Sequence, residues 1–495
     1  MDPWKNIGHL SKSEILDLQN KKLQHFVKRY LYPFSPHYRK IFDQNKVSPN
    51  DIKTVNDLQR LPFTSKLDLL GDESTPDKPR DFILQPNEQL IKAHWSKSKL
   101  MKMMCTKVFK GAHRVKYNLS KEFRPVFMTF TTGTTNRPTP FVYTNHDIQN
   151  LHVSGSRMMR LFGSEPGETI VNMFPYAPHL AFWQVVFGGF ESCCLVLSTG
   201  GGKVMGTEGN IKAIMKMKPS IIIGVPSYVY HVFRVAKESG EKFDFVKKVI
   251  VGASKITNAF KIRIAELLES MGATDVSVFG TYGFTESRTA WGECPTPLDK
   301  SSGYFLYPDK EIFEIVDPDT GEVKKEGEDG ELVYTSLDSR GSAVLRYRTG
   351  DFVKGGIVFG KNPYNDLLVP RISSDITRLS NTKDLQLSKV KGSLINLNHF
   401  TAILSDSEMI DEWQIELRKR NDDPFDVDEL VVYACAETCT NKDQLALDIS
   451  KEILEATEVK PNAVNFISMQ EMVKRLEIET ANKEKRIIDT RPKNE

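Results

Sequence analysis

Between residues 11 and 46 the apolar positions Leu16, Leu23, Phe26, Val27 and Tyr30 recur at helical spacings, with mostly polar residues between them. That pattern predicts helices. A Pro-Phe-Thr-Ser-Lys turn follows at 62–66, where Thr64 or Ser65 is placed to cap a short helix. From about 125 to 290 the pattern changes. VFMTF, TIVNMF, CCLVLS, SIIIGV, KVIVGA and DVSVF are short, nearly continuous apolar runs, separated by helix-like stretches such as 207–217 and 257–271. Continuous rather than alternating runs are what strands buried on both faces require, so the alternation predicts a mostly parallel sheet covered by helices. Residues 311–352 read instead as antiparallel strands around a DPDTGE turn. From 378 onward EWQIELRKR, ELVVYACAE and AVNFISM read as strands and 442–457 as a helix. The expected organisation is an α/β core domain over 1–377, with an antiparallel subdomain, followed by a small, mobile α+β domain over 378–495.

Length and composition fit this division. A chain of 495 residues is too long for one ordinary core, and 40% apolar with 26% charged residues suits a folded chain. A net charge of only +3 gives no reason to expect a nucleic-acid partner. Six cysteines without a CxxC pair argue against a disulfide scaffold or a zinc ribbon, and adjacent Cys193 and Cys194 read as buried thiols. No apolar run approaches the length of a membrane span, and the first residues lack a secretory apolar stretch, so a cytoplasmic enzyme is expected.

One segment departs from this balance. Between 91 and 124, ten lysines and arginines face a single acid, Glu122, with Trp95, Leu100, Met103, Met104 and Phe109 interleaved. It reads as a basic insertion. An amphipathic surface for a membrane, an acidic partner or a polyanion fits it, but charge runs usually face water, which favours a solvated helix over the core.

Four motifs carry candidate chemistry. Thr131-Thr132-Gly133-Thr134-Thr135-Asn136-Arg137-Pro138-Thr139 follows the strand VFMTF. Small hydroxyl residues around a glycine let N–H groups and hydroxyls wrap a polyphosphate, and Arg137 adds charge. A Thr-rich turn is the ordinary alternative. Gly200-Gly201-Gly202-Lys203 lacks the Ser/Thr and the upstream glycine spacing of a kinase-type loop and reads as a flexible turn. Tyr282-Gly283-Phe284-Thr285-Glu286 follows DVSVF at a strand end, where ligands sit in parallel sheets. There a ring can stack on a base and a carboxylate can hold Mg²⁺. Asp351, closing Arg346-Tyr347-Arg348-Thr349-Gly350-Asp351, can accept both ribose hydroxyls. Lys483, near the C-terminus, gains meaning only beside the other three.

In this order the four motifs resemble the adenylate-forming superfamily of acyl-CoA synthetases and related ligases. The phenylacetate–coenzyme A ligase branch is the most similar. The opening LSKSEILDLQNKKLQHFVKRYLYPFSPHYRKIF, the VSPNDIKTVNDLQRLPFTSKLDL that follows and the ending KEKRIIDTRP match that branch too. The resemblance implies that Thr131, Thr132, Gly133, Thr134, Thr135 and Arg137 hold phosphate. Thr281, Tyr282, Gly283 and Thr285 would border the adenine, with Tyr282 stacked on it, and Glu286 would bind Mg²⁺. Gly252, Ala253 and Ser254 sit where the family contacts adenine, Asp351 would hold the ribose, and Lys483 would bridge carboxylate and α-phosphate. His179, in an aromatic stretch at 174–183, would orient the acid; core packing is the alternative there. The family's hinge motif is not legible. Arg371, Asp375, Arg378, Lys383 and Asp384 compete for its roles, and Arg371 is taken as a nucleotide contact.

The implied activity is conversion of a small aryl or acyl carboxylic acid into an acyl-AMP, with release of pyrophosphate, and then thioester formation with coenzyme A. ATP, Mg²⁺ and coenzyme A are the implied cofactors. An alternative passes the acyl group to a carrier protein, an amine or a reductase partner. A second keeps only a non-catalytic nucleotide-binding scaffold. A homodimer is compatible with either.

Overall fold

The computed structural model describes residues 2–70, 75, 77–131, 139–379, 387–390, 393–396, 398–407, 409–419, 428–457, 459–480 and 484–491. Eight strands frame its centre: β1 Pro125–Phe130, β2 Pro140–Thr144, β3 Thr169–Asn172, β4 Leu195–Ser198, β5 Ile221–Gly224, β6 Lys248–Val251, β7 Ser277–Phe284 and β8 Thr289–Gly292. Strands β3 to β8 form one sheet in the order β4-β3-β5-β6-β7-β8. Its first five strands run parallel, and β8 pairs antiparallel with β7.

The apolar runs seen in the sequence are the inner strands. Ile170, Val171, Ile221, Ile222, Ile223, Val249, Ile250 and Val251 are all buried. The run CCLVLS behaves differently, because β4 lies at the sheet edge. Cys193 is exposed with φ 56°, Cys194 is buried, and the strand begins only at Leu195, itself 56% exposed. The helix Asn145–Leu161 crosses the helix Leu180–Glu191 at Gly155 and Gly188. A Cβ on Gly155 would lie 2.6 Å from Gly188 Cα, so these backbones approach as closely as glycine permits.

The strand order reverses direction once. From β3 the chain passes to β4 on one side, and the next helix, Gly202–Met217, carries it across to β5 on the other. A crevice therefore opens beyond the carboxyl ends of β3 and β5, the place where open parallel sheets bind ligands.

Before this sheet, the helix Lys12–Phe26 runs through a wide π-helical turn at Val27–Leu31 and a helical turn at Tyr32–Phe34 to the helix Pro36–Gln44. At the 62–66 turn it is Ser65 that caps: its N–H and hydroxyl both donate to Asp68 Oδ2, at 2.8 and 2.7 Å. Thr64 instead donates to Leu345 O at 2.8 Å and ties the turn to the antiparallel sheet. That sheet has the order Glu311–Val316, Gly330–Ser336, Tyr347–Val353, Ile376–Arg378. In the RYRTGD motif Arg346 pairs with buried Glu314 and Arg348 with Glu331, so both guanidiniums brace the sheet.

A separate core is built by Phe400, Leu404, Trp413, Leu430, Ile453 and their buried neighbours. Beside it the strands Glu412–Lys419, Asp428–Cys435, Ala463–Phe466 and Ile487–Asp489 form one sheet. The helix Met469–Leu476 packs Met472, Val473 and Leu476 onto the core of the parallel sheet.

Candidate active site

Two strand ends come together first. Gly252 follows β6 and Thr281 lies in β7, whose hydroxyl donates to Val251 O at 3.1 Å. A Cβ at 252 would fall 2.1 Å from Thr281 Oγ1, so any other residue there would displace that hydroxyl. Ala253 takes φ 71°, a conformation L residues seldom adopt, and turns the chain sharply. The Ser254 hydroxyl is buried, with no hydrogen-bond partner among the described residues. Lys255 pairs with Asp375 at 2.9 Å and so ties this loop to the strand Ile376–Arg378.

The polar groups of the next two motifs converge beside it. The Tyr282 hydroxyl donates to Asp351 Oδ2 at 2.7 Å, and Arg378 Nη1 lies 2.6 Å from Asp351 Oδ1. Burial works against the charge of Arg378, but Asp351 holds the guanidinium above its ordinary value. Burial and the Asp351 carboxylate push the Tyr282 phenol well above its usual range. The ring of Tyr282 lies beside those of Trp291 and Tyr304, at centroid distances of 5.9 and 5.8 Å.

Glu286 occupies the four-residue turn between β7 and β8. The turn is closed by Ser287, whose hydroxyl lies 2.7 Å from Phe284 O and 2.9 Å from Thr289 O, and by Arg288 at φ 60°. The buried Glu286 carboxylate accepts from the Tyr347 hydroxyl at 2.8 Å. Burial raises its proton affinity, while Tyr347, Arg378 and Lys66 oppose the rise. A cation placed there would hold it ionised. Among the described residues no three His, Cys, Asp or Glu side chains are grouped to hold a metal ion. Glu286 is the carboxylate here that would hold a Mg²⁺, which would supply charge neutralisation to a phosphate.

Of the threonine-rich motif, residues 132–138 lie outside the described residues; its base does not. Thr131 N donates to Thr139 O at 3.1 Å, and Thr139 N donates to Thr131 Oγ1 at 3.1 Å. The buried Thr139 hydroxyl, like that of Ser254, finds no partner among the described residues. His179 stands at this base, with Nδ1 3.2 Å from Phe130 O, while Phe130 N donates to Pro178 O at 2.8 Å.

Arg371 lies beside this cluster, in the strand Arg371–Ile372 whose Ile372 pairs with Tyr304. It pairs in register with Phe305 in a separate small sheet, its guanidinium over that ring at 5.6 Å, and Nε and Nη1 lack partners among the described residues. The cation that reaches Asp351 is Arg378. Local pattern does not reveal this contact, because it depends on strand Ile376–Arg378 pairing with strand Tyr347–Val353.

Lys483 also lies outside the described residues, but its neighbours do not. Glu479 and Glu484 line a cleft at the direction reversal of the parallel sheet. Met173 and Pro175 follow β3 there, Gly201 and Gly202 follow β4, and Val225 and Tyr228 follow β5. A Cβ on Gly202 would lie 2.7 Å from Glu479 O, so the two backbones touch. The glycine-rich turn at 200–203 is thus a seat for the C-terminal segment, a role that sequence pattern alone did not reveal.

Residues 41–338 match the model of the AMP-binding enzyme family. A phenylacetate–coenzyme A ligase of Aromatoleum evansii is 29% identical over 352 residues, covering 70% of this chain and 68% of the relative. A phenylacetate–coenzyme A ligase of Escherichia coli is 26% identical over 357 residues, covering 72% and 69%. Among solved structures, 2-hydroxyisobutyryl-CoA ligase in the postadenylation state with 2-HIB-AMP superposes with a TM-score of 0.72. That match has 18% identity and covers 98% of this chain and 91% of the other, a likeness of fold.

Proposed function

Because the chain belongs to the family of AMP-binding enzymes, we propose that it is an AMP-forming acid–thiol ligase. It joins a small carboxylic acid to AMP at the expense of ATP, releases pyrophosphate, and passes the acyl group to the thiol of coenzyme A. The observation that carries this reading is the convergence of Tyr282, Glu286 and Asp351 with the Gly252–Ser254 turn at adjoining strand ends.

The residues divide the work by chemistry. Asp351, fixed by Tyr282 and Arg378, keeps lone pairs for the ribose diol. The ring of Tyr282 and the backbone of 252–254 border the base. Loop 131–139, closed at its foot by paired backbone bonds, wraps the phosphates with hydroxyls and Arg137. Glu286 holds Mg²⁺, which when bound neutralises phosphate charge. His179, beside the foot of that loop, orients the incoming carboxylate. Lys483 supplies a cation to the carboxylate and α-phosphate as charge shifts between them. The protein's contribution is thus mainly positioning and electrostatics. Division near residue 378 into a core and a smaller domain lets one Lys483-bearing domain serve adenylation and then make room for the thiol.

An ATP–pyrophosphate exchange screen over aryl, fatty and amino acids tests the first half-reaction. Release of AMP with coenzyme A, with a carrier protein or with an amine tests the second. Exchange with none of the acids would sink the ligase reading. Exchange followed by AMP release that ignores coenzyme A would move the acceptor to a carrier protein or an amine.

A further inference from the structure

The basic helix Lys97–Phe123 carries an apolar face that the core does not use. Its N-terminal half packs inward through Leu100 and Met103, and Lys99 lies over the Trp95 ring at 3.6 Å. Met101, Met104, Cys105 and Val108 recur at helical spacing on the opposite side, with Phe109 next to them. Met101 and Met104 are 65% exposed, Val108 78% and Phe109 84%. A helix that merely shields the core turns polar residues outward; this one turns outward its large apolar side chains. Exposed Lys102, Lys107 and Lys110 flank the stripe.

Charge says what can cover it. Residues 97–121 hold eight lysines and arginines and no carboxylate, although the whole chain is only +3, so the remainder is formally negative. Glu122, the one acid nearby, is turned to Arg340 at 3.2 Å and does not offset the stripe. A second copy of the same face would bring like charges together. The helix breaks at Gly111, where φ is 82°, and past the break Arg114 stacks over Tyr117 at 5.3 Å. Val126 and Met128 of β1 add further exposed apolar surface close in sequence.

We propose that this helix is an interfacial anchor that lays Met101, Met104, Val108 and Phe109 into an anionic lipid surface, with the flanking lysines at headgroup level. A convex single-helix stripe between cations suits a bilayer surface, into which apolar side chains sink while lysine stems extend to the phosphates. No helix of the described residues is long and apolar enough to cross a membrane, so the attachment is peripheral. It is independent of the ligase chemistry.

The test is co-sedimentation of the full chain with vesicles of phosphatidylcholine alone, or containing phosphatidylglycerol, at low and high salt. Binding is expected to anionic vesicles at low salt and to fall about tenfold without the anionic lipid or in high salt. The double variant Val108→Glu, Phe109→Glu should lose about tenfold in binding, with its thermal unfolding midpoint unchanged. No sedimentation with anionic vesicles overturns the proposal, as does equal binding of that double variant. Dissociation of a lipid-independent dimer, or of a complex with a soluble acidic protein, by the same substitutions would assign the face to that occupant and overturn it equally.

Discussion

The carboxylate of Glu479 reaches back across the molecule to His231, with Oε1 3.3 Å from Nε2, and the same oxygen accepts the Thr207 hydroxyl. Glu479 stands four residues before Lys483, whereas Thr207 and His231 belong to the helices on either side of β5. The contact fixes one end of the segment that bears the lysine.

Loss of this latch should divide the two half-reactions. Glu479→Ala is expected to slow pyrophosphate exchange about tenfold, in line with one charge-assisted hydrogen bond at a partly exposed site. Thioester formation from supplied acyl-AMP should change less than about twofold, and Thr207→Ser, which keeps the hydroxyl, should behave as wild type. Equal loss in both half-reactions would give the latch a purely structural role.

Lys483→Ala should lower pyrophosphate exchange by on the order of a hundredfold or more, as for removal of one oriented charge at a developing anion. Unchanged exchange in that variant would remove the lysine from the adenylation step. Binding of ATP, measured by calorimetry, should weaken far less than the rate.

Gly252→Ala should raise the KM for ATP by about tenfold, because the added methyl meets the Thr281 hydroxyl and overpacking typically costs ~1–3 kcal/mol. Combining it with Thr281→Ala removes that oxygen and should recover most of the loss. A double variant no better than the single one would place the damage elsewhere.

Stability should depend on pH through Glu311. Its buried carboxylate accepts from Trp291 Nε1 at 2.6 Å and Tyr307 N at 2.9 Å, its second oxygen has no partner among the described residues, and burial raises it to about 8. Between the ordinary carboxylate range and about 8, the folded protein holds a proton that the unfolded chain has released. Stability therefore falls as pH rises through that window. The fall between neutral pH and the top of the window is on the order of 1 kcal/mol. Glu311→Gln, uncharged at every pH, should flatten that decline in a denaturant titration series; an identical slope would show that Glu311 does not titrate there.

Much of this was legible along the chain, and the misses share a cause. Buried inner strands announce themselves as continuous apolar runs, and Ser65 with Asp68 three residues later is a local capping signal. CCLVLS was read as buried because sequence does not show that β4 lies at an edge. Tyr282, Glu286 and Asp351 stand out because each belongs to a short motif next to a recognisable strand. Arg378, Tyr347 and Glu479 do not, since each acts through a partner 27, 61 or 248 residues away. Pairings at such separations are set by sheet register and helix packing, which no local window contains.

Glu286 rides on a turn stapled at both ends, between two strands already committed to each other and with a phenol clamped on its side chain. Such a carboxylate loses its freedom during folding, so little conformational disorder is left to remove when a cation arrives. The same rigidity forbids adjustment. An aspartate at this position would stop one methylene short, and the backbone has no slack with which to follow it.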